Sequence, residues 1–244
     1  NPAGSDYPAA GVHRGRPAFY GGEVMERWLN KILLGDCLDI MREMPDKCVD
    51  LVLTDPPYGI DAGSGTAVYI VNKKWGQDHE KRRNITTGDW DKKRPDKAYF
   101  DEIKRVAKNY IIWGGNYFSD YLEGSPCWIV WDKCNGDSFF ADGELAATSF
   151  NTKLRICRKL SQGFIKSKDD KEDRIHPTQK PVSLFEWILR LYSKPGDIIL
   201  DPFLGSGTTV AACINLERQY IGIEINPDYV LASQQRIKKA TEQR

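Results

Sequence analysis

A doubly wound α/β sheet is the fold the sequence predicts, on three observations. Short apolar runs alternate with stretches of helical spacing along the chain. One run, Val49–Thr54 (VDLVLT), is apolar on both faces, as a central parallel strand must be. Residues 197–224 then give a strand, a glycine loop, a helix and a second strand ending in an acid, in unbroken succession.

The elements follow in order. Lys31–Leu34 reads as a strand ending at Gly35-Asp36, Cys37–Met44 as a helix, and Val49–Thr54 as the buried strand that runs into Asp55-Pro56-Pro57-Tyr58-Gly59. Asp96–Lys108 has helical spacing, Tyr110–Trp113 is a strand entering Gly114-Gly115-Asn116, and Trp128–Trp131 is another short strand. A helix opens at Pro181 and runs to about Ser193, and Lys194-Pro195-Gly196 is a turn. Asp197–Leu200 is a strand, Thr208–Leu216 a helix, Tyr220–Ile223 a strand, and Pro227 opens the last helix. Residues 1–24 are rich in Gly, Pro and Ala without periodicity, and Met25 reads as the native start. They are expected to be a flexible tail or cloning remnant, with one domain over residues 25–244.

Composition removes several classes of protein. The formal net charge of the 244 residues is +1, so only a local excess of charge can point to a polyanion. The six cysteines form no C-x-x-C pair, which argues against a zinc site or a disulfide framework and for reduced thiols in a cytoplasmic protein. No apolar run approaches the roughly 20 residues needed to span a bilayer.

Two segments carry chemistry. In Asp201-Pro-Phe203-Leu-Gly205-Ser206-Gly207-Thr208, two glycines let a ligand approach backbone where a Cβ would exclude it. Glu224 ends the next strand, where a carboxylate can take both hydroxyls of a ribose. Val210 stands where the dinucleotide fingerprint needs its third glycine, so a nucleoside without a pyrophosphate is favoured over NAD. Asp55-Pro-Pro-Tyr58 ends a buried strand, the place where open α/β sheets bind ligands. An exocyclic base amine is a poor nucleophile because its lone pair is delocalised into the ring, so fixed oxygens must accept its hydrogens as the nitrogen turns tetrahedral. The Asp55 carboxylate and the Pro56 carbonyl are two such oxygens, Pro57 stiffens the turn, and Tyr58 offers a flat face to an extruded base.

Asp55-Pro-Pro-Tyr58, then His176-Pro-Thr-Gln-Lys180-Pro181, then Asp201-Pro-Phe-Leu-Gly-Ser-Gly207-Thr together resemble the amino-methyltransferase family of DNA modification enzymes, in the permuted order called class beta. The resemblance covers roughly residues 30 to 240. It implies a Rossmann-like, mostly parallel seven-stranded sheet, S-adenosylmethionine as methyl donor, and duplex DNA with a flipped target base. By the same resemblance Asp55, Pro56 and Tyr58 would bind and activate the amine, with Pro57 shaping the turn. Asp201, Phe203, Gly205, Ser206, Gly207 and Thr208 would line the methionine and ribose side, Glu224 would hold the ribose, and Asp36 with Cys37 would meet the adenine ring. Lys180 and Pro181 would close over the methionine end. Asp at the first position of the tetrapeptide favours adenine N6 over cytosine N4, and the family is often dimeric.

Two basic stretches are candidate DNA contacts. Between residues 71 and 97 nine basic side chains face five acidic ones, and this stretch is expected to be a mobile loop gripping phosphates through Lys73, Lys74, Arg82, Arg83, Lys92 and Lys93. Residues 151–175 occupy the place of the family's sequence-reading insert, with Arg155, Arg158 and Lys159 as candidates. Cys127, His176 and the tryptophans of the apolar runs are read as structural. The competing functions are cytosine N4 methylation and an inactive DNA-binding partner subunit.

Overall fold

The computed structural model describes residues 25–60, 91–136, 141–162, 165–166 and 179–242. Its strands are β1 (Lys31–Leu34), β2 (Val49–Thr54), β3 (Ala107–Trp113), β4 (Trp128–Asp132), β5 (Gly143–Thr148), β6 (Arg155–Arg158), β9 (Ile198–Asp201) and β10 (Gln219–Glu224), with a small ribbon of β7 (Ser161–Gln162) and β8 (Ile165–Lys166). The helices are α1 (Cys37–Arg42), α2 (Lys97–Val106), α3 (Val182–Tyr192), α4 (Thr208–Asn215) and α5 (Pro227–Glu242).

The main sheet runs β1-β10-β9-β2-β3-β5-β4-β6. The first five strands are parallel; β5 is antiparallel to both β3 and β4, and β6 is parallel to β4. The α/β class stands, with eight strands in place of the seven expected. The eighth is β6, drawn from the stretch read as a DNA-reading insert. Ile129–Asp132 of β4 pair with Arg155–Arg158, so the edge of the sheet recruits the first part of that stretch. β5 is not visible in the sequence either, because Gly143–Thr148 (GELAAT) lacks the β-branched and aromatic residues that mark strands.

Alternation along the central strands splits the core in two. Val49, Val52, Ile112, Leu200 and Ile223 face one way, towards Met41 of α1 and Phe100 and Ile103 of α2. Leu51, Leu53, Ile111, Trp113 and Ile199 face the other, towards Leu184, Phe185 and Ile188 of α3 and Ala212 of α4. Both faces of β2 are therefore sealed, and Leu51, Val52 and Leu53 are at most 1% exposed. From β9 the chain passes through α4 to β10 on one side, and from β2 it leads by way of α2 to β3 on the other. The β9–β2 boundary is thus the topological switch point, and the carboxyl ends of the strands there are where open α/β sheets bind ligands. No helix among the described residues is long and apolar enough to cross a membrane.

Leu53→Ala should leave a cavity under α3 at the centre of the sheet and cost about 2–5 kcal/mol. Urea unfolding followed by tryptophan fluorescence checks this, as a lower midpoint at unchanged slope.

Candidate active site

Four of the five parallel strands deliver an acid to the same edge. β1 leads to Asp36, β10 ends on Glu224, β9 ends on Asp201, and β2 leads into Asp55. Four carboxylates thus border the switch-point crevice, with the buried Lys180 ammonium against one of them.

On the β9–β10 side the glycine loop is tied down from three directions. Asp201, 3% exposed, accepts from Thr54 Oγ1 (2.6 Å), from the Phe203 N–H (3.1 Å) and from Thr209 Oγ1. Burial pushes its carboxyl up to about 6, against the pull of those donors. Glu224 accepts the Gly205 N–H (2.7 Å) and the Asn226 N–H (2.8 Å), and burial raises its carboxyl as well. Arg236, on α5 and only 6% exposed, donates to the Ser206 carbonyl and to Thr208 Oγ1, both at 3.1 Å. Gly207 has φ +80°, and a Cβ there would lie 2.8 Å from Ser233 Cβ, so the second glycine is required by α5. A Cβ on Gly205 would meet nothing within 4 Å, so that glycine borders open space. Across the crevice Asp36 caps α1 through the Leu38 N–H (2.8 Å) and accepts from Tyr99 OH (3.2 Å), and the Tyr99 ring lies 5.9 Å from that of Phe203. Cys37 is buried beside Asp36, and its thiol is raised by burial, which keeps it unreactive.

On the β2 side, the Asp55 carboxylate is held at both oxygens. Tyr58 OH donates to Oδ1 (2.6 Å), and Lys180 Nζ donates to Oδ2 while lying 3.2 Å from Tyr58 OH. Burial raises Asp55 and the Lys180 charge opposes that rise. Burial lowers Lys180, but Asp55 and Glu144 together outweigh it and keep the ammonium charged. Glu144, at the start of β5, stands 2.9 Å from Lys180 at an angle too poor for a hydrogen bond, and its other oxygen meets Lys133 Nζ at 2.6 Å. Burial would raise Glu144, but the two lysines hold it down at about 2. Tyr58 is raised by burial and by Asp55, so its hydroxyl stays protonated and donates.

The turn itself is clamped from outside the tetrapeptide. Asp91, 2% exposed, accepts the N–H groups of Tyr58 (2.6 Å) and Gly59 (2.9 Å) through one oxygen. The Tyr58 ring stacks on Tyr117 with centroids 4.8 Å apart, and a Cβ on Gly114 would come within 2.2 Å of it. Gly114 (φ +69°) is therefore the residue that lets Tyr58 reach its place.

The structure brings Asp36, Cys37, Asp55, Pro56, Pro57, Tyr58, Lys180, Pro181, Asp201, Phe203, Gly205, Ser206, Gly207, Thr208 and Glu224 to one edge of the sheet. Lys180 stands against Asp55 and Tyr58, while its carbonyl accepts weakly from Thr208 Oγ1 at 3.4 Å, so it links the two halves of the edge. Sequence reading misses Asp91, Glu144, Lys133 and Arg236. In the sequence Asp91 is only one acid of the basic stretch, and no spacing rule joins the other three to either motif.

The candidate DNA contacts divide differently. Lys73, Lys74, Arg82, Arg83 and His176 lie outside the described residues. The last part of the expected mobile loop is anchored chain, because Asp91 clamps the tetrapeptide, Arg94 bonds Asp120 (2.6 Å) and the Tyr117 carbonyl, and Lys97 opens α2 paired to Asp101. Lys92 and Lys93 are exposed there. Arg158 and Lys159 lie at the end of β6 on the same edge as Asp55, Arg158 being 3.3 Å from Asp132, whereas Arg155 begins that strand towards the opposite edge. Cys127 is fully buried at the amino end of β4, remote from the crevice, with Sγ 3.3 Å from Tyr192 OH. A separate cleft of about 390 Å³ opens at that opposite edge between Lys47, Lys108, Ser125 and Asn151. Its lysines are engaged by the Lys104 and Ala107 carbonyls and by Asp50.

The fold and this edge define a doubly wound α/β domain whose candidate site lies between the Gly205 loop and the Asp55–Tyr58 turn. Residues 124–235 match the family model described as DNA methylase. The type II methyltransferase M.HinfI of Haemophilus influenzae is 28% identical, over 89% of this chain and 70% of that protein. The solved PvuII DNA methyltransferase, described as cytosine-N4-specific, is similar in fold at a TM-score of 0.54 and 16% identity, over 87% of this chain and 90% of that one. A Thermus thermophilus protein described as a DNA modification methylase, solved with S-adenosyl-L-methionine, is similar at 0.53 and 19%, over 86% and 94%. These likenesses support a DNA amino-methyltransferase of the N6/N4 family.

Asp91→Ala should strand two turn N–H groups at a cost of about 1–3 kcal/mol, and Asp91→Asn, which still offers an oxygen, should recover most of the loss. Paired melting curves of the two variants test the clamp.

Proposed function

We propose that this chain transfers a methyl group from S-adenosylmethionine to N6 of an adenine flipped out of duplex DNA. The observation that carries the reading is the Asp55–Tyr58 turn, rigidly held one strand away from an acidic nucleoside crevice. An edge bordered by Asp36, Asp55, Asp201 and Glu224 repels a pyrophosphate and suits a nucleoside that carries positive charge. The open side of Gly205 gives such a nucleoside room beside the Glu224 carboxylate, and Phe203 with Tyr99 offers aromatic surface on the Asp36 side. When bound there, S-adenosylmethionine supplies an electrophilic methyl group.

The chain's own residues do the rest. The Asp55 carboxylate and the Pro56 carbonyl accept the two amine hydrogens, which localises the nitrogen lone pair as it attacks the methyl carbon. The nitrogen–carbon bond forms as the carbon–sulfur bond breaks, and the extra amine proton leaves to water. Tyr58 and Lys180 fix the carboxylate direction through its two oxygens. Lys92, Lys93, Arg158 and Lys159 are proposed phosphate contacts on the same edge, together with Lys73, Lys74, Arg82 and Arg83. Adenine is favoured over cytosine by the aspartate that opens the tetrapeptide.

Duplex DNA incubated with labelled S-adenosylmethionine and digested to nucleosides should yield N6-methyladenine by mass spectrometry. N4-methylcytosine would move the target base, and no labelled nucleoside despite cofactor binding would favour the inactive partner-subunit reading. Asp55→Ala should lower kcat by at least about 10³-fold, the scale of losing an oxyanion-type contact, with cofactor affinity kept. A second expectation concerns pH. Asp201 is ionised above about pH 6 and neutral below it. A cationic cofactor should therefore bind more weakly as pH falls from 7 to 5, and Asp201→Asn should flatten that slope in isothermal titration.

A further inference from the structure

A partly buried row of alternating charge reaches the candidate site from β4 and β5, which neither motif includes. Lys133 follows β4, Glu144 lies near the start of β5, Lys180 precedes α3 and Asp55 follows β2, and each charge faces the next. Lys180 is 5% exposed and the Glu144 side chain 23%. Glu144 balances Lys133 and also reaches Lys180, which already has Asp55 as its partner. Buried ion pairs contribute little to stability after the cost of desolvation, and such clusters in a crevice point to a task.

We propose that Glu144 is a positioning residue for methyl transfer, sharing the Lys180 ammonium with Asp55 so that Asp55, which the lysine keeps ionised, still accepts an amine hydrogen strongly. The proposal rests on the reading of Asp55 as the amine acceptor. A carboxylate bound to a whole cation is a weak acceptor, because the cation holds its electron density. With no cation at all, burial beside Asp201 would protonate it. Glu144 sets the balance between these limits by pulling on the same ammonium from the opposite side at 2.9 Å. The poor angle of that contact means that its attraction is mainly charge with charge, while the directed bond of Lys180 goes to Asp55. Lys133, 2.6 Å away and 5.1 Å from the Trp131 ring, keeps Glu144 itself ionised.

The charged and titratable groups facing Asp55 are Lys180, Glu144, Tyr58 and Asp201; those facing Glu144 are Lys133 and Lys180, with Asp55 and Tyr58 beyond. Removing the Glu144 charge takes away a like-charge neighbour that raises Asp55 and leaves Lys180 wholly to Asp55. Two effects follow together: Asp55 ionises at lower pH, and its oxygens accept less strongly.

The test is the pH profile of kcat for Glu144→Gln, Glu144→Asp and Lys133→Gln in the full chain on duplex DNA, beside Asp55→Asn. Glu144→Gln should lower kcat by about 10-fold, keep both KM values within about 2-fold, and move the acid limb of the profile down by about half a pH unit or more. Glu144→Asp should restore much of kcat, and Lys133→Gln, which leaves Glu144 to pull on Lys180 alone, should move the acid limb by a smaller amount in the opposite direction. A lower melting temperature with the acid limb unmoved in both Glu144→Gln and Lys133→Gln would make the row structural and overturn the proposal. Unchanged kcat and limb in Glu144→Gln, with transfer lost in Asp55→Asn, would overturn the role of Glu144 alone. Full transfer by Asp55→Asn would overturn the amine-acceptor reading and the proposal with it.

Discussion

The contact between the Lys180 ammonium and the Asp55 carboxylate joins segments 125 residues apart in the chain and holds the two halves of the carboxyl edge together. Through Oδ2 it orients Asp55, and through the lysine backbone it reaches Thr208 at the start of α4. Its strength comes from position. Buried at the carboxyl edge, the Lys180 ammonium lies between the Asp55 and Glu144 carboxylates, where little water screens the attraction. The parallel strands favour that arrangement, since all turn at the same edge and the turns after β1, β10, β9 and β2 each carry an acid.

Rigidity around this contact is built mainly from backbone. Asp91 holds the turn by two N–H groups, Glu224 holds the glycine loop by another, and Arg236 takes the Ser206 carbonyl from below. Glycines sit where two elements must touch, Gly114 beneath Tyr58 and Gly207 against α5, each at a positive φ. Side chains that have to act are thus aimed by elements that do not act, which is how a site reaches a fixed geometry without strain in its own residues.

Much of this is legible in the chain. Val49–Thr54 announces a central strand by being apolar on both faces, and the strand–loop–helix–strand unit from 197 to 224 carries its own punctuation of proline, glycine and acid. Both motifs sit at strand ends, where ligand sites belong. What stays hidden is pairing between distant segments. Nothing in GELAAT marks a strand, because its place between β3 and β4 is set by burial of Ala146 and Ala147 and not by propensity. The same holds for Glu144, which joins the site only once β5 is in register. Asp91 looks like one charge in a basic run, and its 2% exposure is a property of the folded turn.

Binding at the switch-point crevice is the claim on which the functional account stands, and a crystal structure with S-adenosylhomocysteine tests it most directly. The account predicts density between the Gly205 loop and Glu224, reaching towards Asp36 on one side and Asp55 on the other. Density in the cleft at the opposite edge by Lys47 and Asn151, or none despite measured binding, would contradict it.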